Sequence, residues 1–402
     1  MKYRIGIFLD TEPFSGGGFQ FCQSMLDAVA ALSRERFETI VGYTNDLWVD
    51  YLDDKEVKSV KIQSKIWSLI AYRRISGLLP MKWWRAVNPY FHPVTKSLVK
   101  QNCNLWIFPS QDTWTYLIPV PAIGTIYDLM HRYERRFPEV SAYGKYGSRE
   151  RHYRNMCRWS EGLLVDSEVG KQHVLESYDV DSAKIKVLPF VVPKYISSNT
   201  SAGDVKKDYR LPEKYFFYPA QFWEHKNHKQ LVHAISSLKD QHPGMMFVFV
   251  GSRKNGYQAT IDLANQLNVK QHIKVLGYVP DSVMPELYRR ARAMIMPTFF
   301  GPTNIPPLEA MALGCPVAIS DIYGMRQQLG NAALYFNPNS VNEIKTVMER
   351  LWQDDSLCKE LSHKGLTHAS TWNQRHFNTR LEHILTDTLA FLTSKKQNIN
   401  QN

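Results

Sequence analysis

The sequence predicts an α/β protein built from two Rossmann-like domains. Three observations predict it. The 402 residues exceed what a single hydrophobic core usually organises. Short apolar runs of strand length alternate with helix-length periodic segments in both halves. The periodic pattern lapses across the polar stretch SSNTSAGDVKKD at 197–208, which marks a boundary between the halves. The expected domains are residues 1–195 and 210–375, with a terminal helix over 376–395 packing back on the first domain.

Residues 3–9 (YRIGIFL) read as the first strand. The glycine triplet Gly16, Gly17 and Gly18 follows, and then a helix with Phe21, Met25, Leu26 and Val29 on one face. Further strands are expected at 104–108, 122–127 and 162–166, separated by segments long enough for crossover helices, so the first half reads as a parallel sheet. After the extended segment 186–194, strands recur at 214–219, 246–250, 273–276, 293–297 and 316–320. Helical patterns cover 341–354 and 376–393, and the polar ending KKQNINQN reads as partly disordered.

Hydrophobic residues at 44% and charged residues at 22% fit a globular protein. Lys and Arg outnumber Asp and Glu by 49 to 38, a formal charge of +11 that favours anionic partners. No nucleic-acid-binding motif accompanies the charge, so nucleic acid is not the expected partner. Five cysteines without a C-x-x-C pair argue against a disulfide framework or a zinc ribbon and imply a reducing compartment. The opening MKYRIGIFLD lacks a signal-peptide pattern, and no run of about eighteen apolar residues occurs.

The segment 300–320 (FGPTNIPPLEAMALGCPVAIS) places a glycine and proline turn after an apolar strand, then a helix opening at Pro306 and Pro307. Unpaired amides of residues 303–308, Thr303, Asn304 and Ile305 among them, are expected to face an anion at that helix start. Glu309 stands too close to such an anion to be its ligand, and a carboxylate there suits a pair of sugar hydroxyls. Taken alone, the segment reads equally as a helix packed on a strand with Glu309 at the surface.

This segment resembles the donor signature of glycosyltransferase family 4, retaining enzymes of the GT-B fold in which two Rossmann-like domains face each other across a cleft. The resemblance continues through 215–227, 248–252, 273–298 and 331–338, and more loosely through SGGG, 125–139 and 163–190. It implies a metal-independent hexosyltransferase acting on a nucleotide-sugar, with GDP- and UDP-sugars as the candidate donors. Glu309 corresponds to the family's ribose-binding glutamate. Gly301 stands where the family has a second glutamate on the donor sugar, so Thr303, Asn304 or their amides must supply that contact. Lys226 matches the diphosphate lysine, while Gln221 replaces the family's arginine. The cluster His225, Lys226, Asn227, His228 and Lys229 concentrates donors that can partly compensate for that lost cation. Gly277, Tyr278 and Val279 match the strand end that holds the base, and Gly17 and Gly18 the loop opposite the diphosphate. The strand end TIYDLMHRY corresponds to a His-Asp pair near the reacting sugar: Asp128 is retained, Tyr127 replaces the histidine, and Tyr127 or His131 is left to fill its polar role. The family's reaction is described as front-face substitution, with leaving-phosphate charge met by fixed dipoles and Lys226. No cofactor and no metal cluster are expected.

Residues 57–111 hold no Asp or Glu but carry Lys58, Lys61, Lys65, Arg73, Arg74, Lys82, Arg85, Lys96 and Lys100, interleaved with Trp67, Leu69, Ile70, Leu78, Leu79, Trp83 and Trp84. Such a mixture suits an anionic bilayer surface. A core helix pair with cations on its outer face is the alternative. The combined expectation is a cytoplasmic enzyme, peripheral on the inner face of the cell membrane. It would extend a lipid-linked or growing polysaccharide of O-antigen, capsule or lipopolysaccharide type. A nucleotide-sugar epimerase on the same fold and a non-catalytic nucleotide-sugar-binding partner are the competing readings.

Overall fold

A computed structural model describes residues 2–12, 16–63, 80–197 and 204–401. The chain divides into two compact units, one formed by Met1–Leu129, Gly147–Phe190 and Gln374–Asn402, the other by Met130–Tyr146 and Val191–Asn373.

The first unit is built on a seven-stranded parallel sheet in the order β3-β2-β1-β4-β5-β6-β7. Its strands are β1 Tyr3–Leu9, β2 Phe37–Tyr43, β3 Lys58–Lys61, β4 Leu105–Phe108, β5 Ala122–Thr125, β6 Gly162–Val165 and β7 Ile185–Val187. The central strands are buried on both faces, which is why LWIF and GLLV are continuous apolar runs without alternation. Strand order reverses between β1 and β4, the position at which open α/β sheets leave a crevice beyond their strand ends.

The second unit holds a six-stranded parallel sheet in the order β10-β9-β8-β11-β12-β13. These strands are β8 Phe216–Pro219, β9 Phe247–Val250, β10 Ile273–Gly277, β11 Ala293–Met296, β12 Val317–Ser320 and β13 Ala333–Phe336. The reversal falls between β8 and β11, so the loops that follow these two strands emerge side by side.

The units do not follow the linear division expected from the sequence. Residues 130–146 lie within the stretch assigned to the first half, yet they group with the second unit. Their apolar side chains explain it: Met130, Phe137 and Val140 form one buried cluster with Phe299 and Phe300. The Phe137 ring lies 5.3 Å from that of Phe299 and 5.4 Å from that of Phe300. Passage to the second unit comes at Phe190–Val191 rather than at 195, and residues 198–203 of the polar stretch lie outside the described residues.

The last helix, Gln374–Gln401, belongs to the first unit and runs through most of the polar ending that reads as partly disordered. Phe377, Leu381, Ile384, Leu385 and Leu389 are buried at helical spacing. Phe377 meets Phe21 of the helix Gly17–Ala30 at 6.1 Å, and Gln374 Nε2 donates to the Ser24 carbonyl at 2.9 Å. Phe21, Met25, Leu26 and Val29 are all buried, as their spacing predicts.

Of the basic stretch 57–111, residues 64–79, with Lys65, Trp67, Leu69, Ile70, Arg73, Arg74, Leu78 and Leu79, lie outside the described residues. The described part forms the edge strand β3 and the helices Met81–Phe91 and Pro93–Lys100. Trp84 and Asn88 point inward, Asn88 Nδ2 donating to the Leu117 carbonyl at 3.1 Å. Trp83, Tyr90 and Phe91 are exposed. No described helix is long and apolar enough to cross a membrane.

Candidate active site

The loop after β8 is locked around Lys226 from both sides. The Tyr218 hydroxyl donates to the Lys226 carbonyl at 2.9 Å, and the Lys226 N–H donates to the Trp223 carbonyl at 3.0 Å. Asn227 adopts the left-handed conformation (φ 62°), and its side-chain amide donates to the carbonyls of Pro297 at 3.0 Å and Pro338 at 2.9 Å. Asparagine tolerates that backbone geometry, and the turn is thereby pinned to the ends of two other strands. His225 is held just as firmly. Its ring stacks on Phe300 at 3.8 Å and 11°, and its carbonyl accepts from Phe299 N–H at 2.9 Å.

Glu139, from the 130–146 segment, completes this clamp. Its Oε1 lies 3.3 Å from both the backbone nitrogen and the Nδ1 of His225. Burial alone would push its carboxyl up, but the hydrogen bonds and charge of His225 outweigh that and hold it down at about 2. Glu139 was given no role in the sequence reading, although the segment containing it was singled out, because no local pattern announces a partner so far along the chain.

His225 and His228, both expected to compensate for the missing arginine, are held in other contacts. His228 is buried and stacks on Phe222 at 4.2 Å and 17°. Burial, with the Lys226 charge, pushes its ring down to about 3, so it is neutral and serves as packing. Gln221 accepts from Trp223 Nε1 at 2.9 Å through Oε1, which leaves its amide nitrogen to meet a ligand.

In the loop after β11, Gly301 has φ 96°. A Cβ there would sit 2.7 Å from the Thr303 carbonyl oxygen and 2.9 Å from Asn304 Nδ2. The backbone therefore excludes a glutamate at this position without rebuilding, a physical reason for the departure from the family pattern. Asn304 is itself tied down, its side chain donating to the Phe300 carbonyl at 3.0 Å and its backbone N–H to Gln328 Oε1 at 3.0 Å. Thr303 and Ile305 are buried beside it.

The helix Pro306–Ala312 begins where expected, but its supply of amides is smaller. Pro306 and Pro307 have no N–H, Asn304 spends its own on Gln328, and Leu308 and Glu309 donate to the Ile305 carbonyl at 2.9 and 3.2 Å. Of the anion-facing amides expected over 303–308, those of Asn304 and Leu308 are therefore engaged within the loop and the helix.

Glu309 is buried, not at the surface, and both its carboxylate oxygens are engaged. Oε1 accepts from the Tyr195 hydroxyl at 2.7 Å, and Oε2 from the Tyr288 hydroxyl at 2.6 Å. Burial pushes the carboxyl up to about 7, with the two phenols pulling it down and Asp281 adding to the rise. Neither tyrosine carries a signal in the sequence, since their distance in the chain from Glu309 is closed only by the fold. At the end of β10, Gly277 has φ 74° and its carbonyl accepts from Gly251 N–H at 2.8 Å. Tyr278 is 57% exposed and Val279 is buried.

In the first unit, Gly17 and Gly18 open the helix Gly17–Ala30 after Gly16, whose carbonyl accepts from Phe19 and Gln20 N–H. Tyr127 is a packing residue: its hydroxyl donates to the Pro109 carbonyl at 2.7 Å, its ring sits edge-on to Phe21 at 5.7 Å, and burial pushes its phenol well up. That geometry argues against the polar role near the reacting sugar expected of it. Asp128 accepts from Arg149 at 3.2 Å, and Arg149 also donates to the Tyr153 hydroxyl at 3.3 Å. His131 belongs to the second unit, fully buried with its ring 5.6 Å from Tyr146, so the fold assigns it to a different unit from Tyr127 and Asp128.

One Asp-x-Asp triplet, the spacing used by metal-dependent sugar transferases, does occur at 179–181. Asp181 caps a short turn there by accepting from Ala183 N–H at 2.8 Å. Among the described residues no group of three or more His, Cys, Asp or Glu is arranged to hold a metal.

Residues 204–368 match the family of glycosyl transferases group 1. The matched residues lie within the second unit. Among similar proteins, the O-antigen chain mannosyltransferase B of Escherichia coli is 24% identical over 273 residues, 64% of this chain and 71% of that one. The O-antigen chain mannosyltransferase RfbU of Salmonella typhimurium is 30% identical over 192 residues, 48% of this chain and about half (51%) of its own length. Across 96% of the chain the fold matches that of Anabaena Alr3699/HepE in complex with UDP and glucose, all of which is covered, with a TM-score of 0.72 at 15% identity. WaaG, a glycosyltransferase involved in lipopolysaccharide biosynthesis, matches over 95% of this chain and 99% of its own, with a TM-score of 0.68 at 14% identity. The architecture is that of the GT-B glycosyltransferases: two Rossmann-like units, each on a parallel sheet.

Proposed function

We propose that this glycosyltransferase is a retaining, metal-independent hexosyltransferase. It moves a sugar, mannose by analogy with its relatives, from a nucleoside diphosphate to a lipid-linked or growing polysaccharide. The observation that carries the reading is the juxtaposition, at the switch point of the second sheet, of the Lys226 loop with the loop leading to Glu309.

In this reading the nucleotide base lies along Gly277, Tyr278 and Val279, the ribose hydroxyls donate to Glu309, and the diphosphate meets Lys226. The bond between the sugar and the phosphate oxygen breaks as charge builds on that oxygen, and the Lys226 ammonium stabilises the charge more than it stabilises the intact donor. The Tyr218, Asn227 and Glu139 contacts fix the loop backbone that carries this lysine. With glutamine at 221 and glycine at 301, Lys226 carries more of the phosphate contact. Asp128, steadied by Arg149, is the acceptor-side candidate.

The acceptor is placed at the inner face of the cell membrane, with O-antigen, capsule and lipopolysaccharide intermediates as its class. Supporting this are the net charge of +11 and the exposed Trp83, Tyr90 and Phe91 on one helix with Lys82. Anionic lipid and a lipid-linked saccharide are the partners that suit such a surface.

Calorimetric titration with UDP-, GDP- and dTDP-sugars, with EDTA present throughout, tests the donor assignment. Micromolar binding of one nucleotide class, followed by sugar transfer with retained anomeric configuration, is the expected result. Absence of binding to all three sinks the donor site and favours a non-catalytic role. Conversion of the donor sugar without any acceptor identifies an epimerase instead.

A further inference from the structure

We propose that Tyr195 and Tyr288 are positioning residues of the donor site, whose two hydroxyls hold the Glu309 carboxylate in the orientation and the ionised form that ribose hydroxyls require. The proposal rests on the reading of Glu309 as the ribose ligand.

The geometry is specific. Tyr288 sits fully buried on the helix Met284–Arg290, its ring edge-on to Phe217 at 4.9 Å, and its hydroxyl reaches Oε2. Tyr195 lies on the short turn Lys194–Ser197, soon after the chain enters the second unit, and its hydroxyl reaches Oε1. One donor on each oxygen fixes the plane of the carboxylate. An ionised carboxylate has about four lone-pair directions, so two acceptors remain for a ribose diol. A protonated Glu309 would turn one oxygen into a donor and lose that capacity.

Burial works against the ionised form, and the groups around the carboxylate decide the balance. Asp281 disfavours ionisation, while the two phenols favour it by donating to the anion. Both phenols are themselves pushed well up by burial and by Glu309, so they stay protonated donors across the working pH range. Cys315, near Tyr288, is likewise pushed up by burial and stays neutral. With Glu309 poised at about 7, loss of one phenol hydroxyl tips it towards the protonated form at neutral pH.

The test is the pH dependence of donor affinity in the full chain, measured by calorimetry between pH 6 and pH 9 with GDP-mannose and with UDP-glucose. Their diphosphate diesters do not titrate in that range. Native protein, Tyr195→Phe and Glu309→Gln are compared. The native affinity should rise as pH climbs through about 7. Tyr195→Phe should bind about tenfold more weakly at pH 7, the scale of one hydrogen bond to a charged group. Its midpoint should move to higher pH, with near-native affinity regained by pH 9. A loss by the same factor at every pH would mark Tyr195 as merely structural and overturn the proposal, as would unchanged affinity. If Glu309→Gln binds like the native protein, or neither donor binds at all, the ribose reading itself is wrong and the proposal falls with it.

Discussion

Glu139 and His225, 86 residues apart in the chain, meet through one carboxylate oxygen that lies 3.3 Å from both the backbone nitrogen and the ring Nδ1 of His225. The residue after His225 is Lys226, so a carboxylate from the first half of the sequence fixes the loop that presents the cation of the proposed donor site.

Glu139→Ala should therefore cost about 1–3 kcal/mol of stability, the range for breaking hydrogen bonds to a charged group. It should lower turnover more than donor affinity, while Glu139→Gln, which keeps an acceptor, should lose less of both. Because the carboxyl is held down at about 2, the contribution is present above the ordinary carboxylate range and disappears only as pH falls towards about 2. Urea unfolding at pH 5, where the Glu139 carboxylate is ionised, should find Glu139→Ala less stable than the native protein; equal stability of the two would remove the clamp.

Lys226→Ala should reduce kcat about a hundredfold or more while leaving the donor Kd within a few-fold, as expected for a group that acts on leaving-group charge. Steady-state kinetics alongside calorimetry separate these quantities. A large loss of affinity with intact turnover would make Lys226 a binding group only.

Gly301→Glu, which restores the family's residue, should not restore its function. The backbone at φ 96° and the carbonyl 2.7 Å from a new Cβ predict a stability loss of about 1–3 kcal/mol and no gain in turnover. A more active and equally stable variant would show that the loop adapts.

Glu309→Gln should raise the melting temperature of the ligand-free protein at pH 8. The native carboxyl is raised to about 7 from the ordinary 4.5, so the folded state keeps a proton that the unfolded chain gives up. Stability then falls as pH climbs between those two values, by about 3 kcal/mol in all. A glutamine does not pay this cost, so the variant's advantage should grow from pH 5 to pH 8 and reach several degrees. A melting temperature that tracks the native one at both pH values would contradict the buried environment of Glu309.

Replacing Trp83, Tyr90 and Phe91 by serine should weaken sedimentation with vesicles containing anionic lipid and leave the fold intact, because the inward contacts of Trp84 and Asn88 are untouched. Equal sedimentation of both proteins would detach the acceptor from a membrane setting.

The parts of the fold that the sequence discloses are those where local pattern and burial coincide. The strands at 246–250 and 293–297 are apolar along their length, and that at 3–9 from Ile5 onward, because the sheet buries both faces, so they stand out from their neighbours. The edge strand Lys58–Lys61 is polar and mostly exposed, and nothing local separates it from a loop. The same division holds at the site. Lys226, Glu309 and the turn at Gly301 are visible because they lie within one or two short motifs. Glu139, Tyr195 and Tyr288 act on those residues from elsewhere in the chain, and only the fold brings them together. His228 shows the converse: it belongs to a motif rich in donors, yet the ring of Phe222 claims it for packing.

The path of the chain has a consequence for how such proteins exchange parts. It leaves the first unit after Leu129, returns at Gly147, leaves again after Phe190 and returns at Gln374. A hybrid made by joining the first half of one relative to the second half of another near residue 191 would pair a donor loop with a foreign Glu139 segment. It would also lay a foreign terminal helix, with its own row of apolar side chains, against the helix Gly17–Ala30. Recombination that keeps 130–146 with the second sheet and 374–401 with the first preserves both sets of contacts, so each unit is inherited as a discontinuous set of segments.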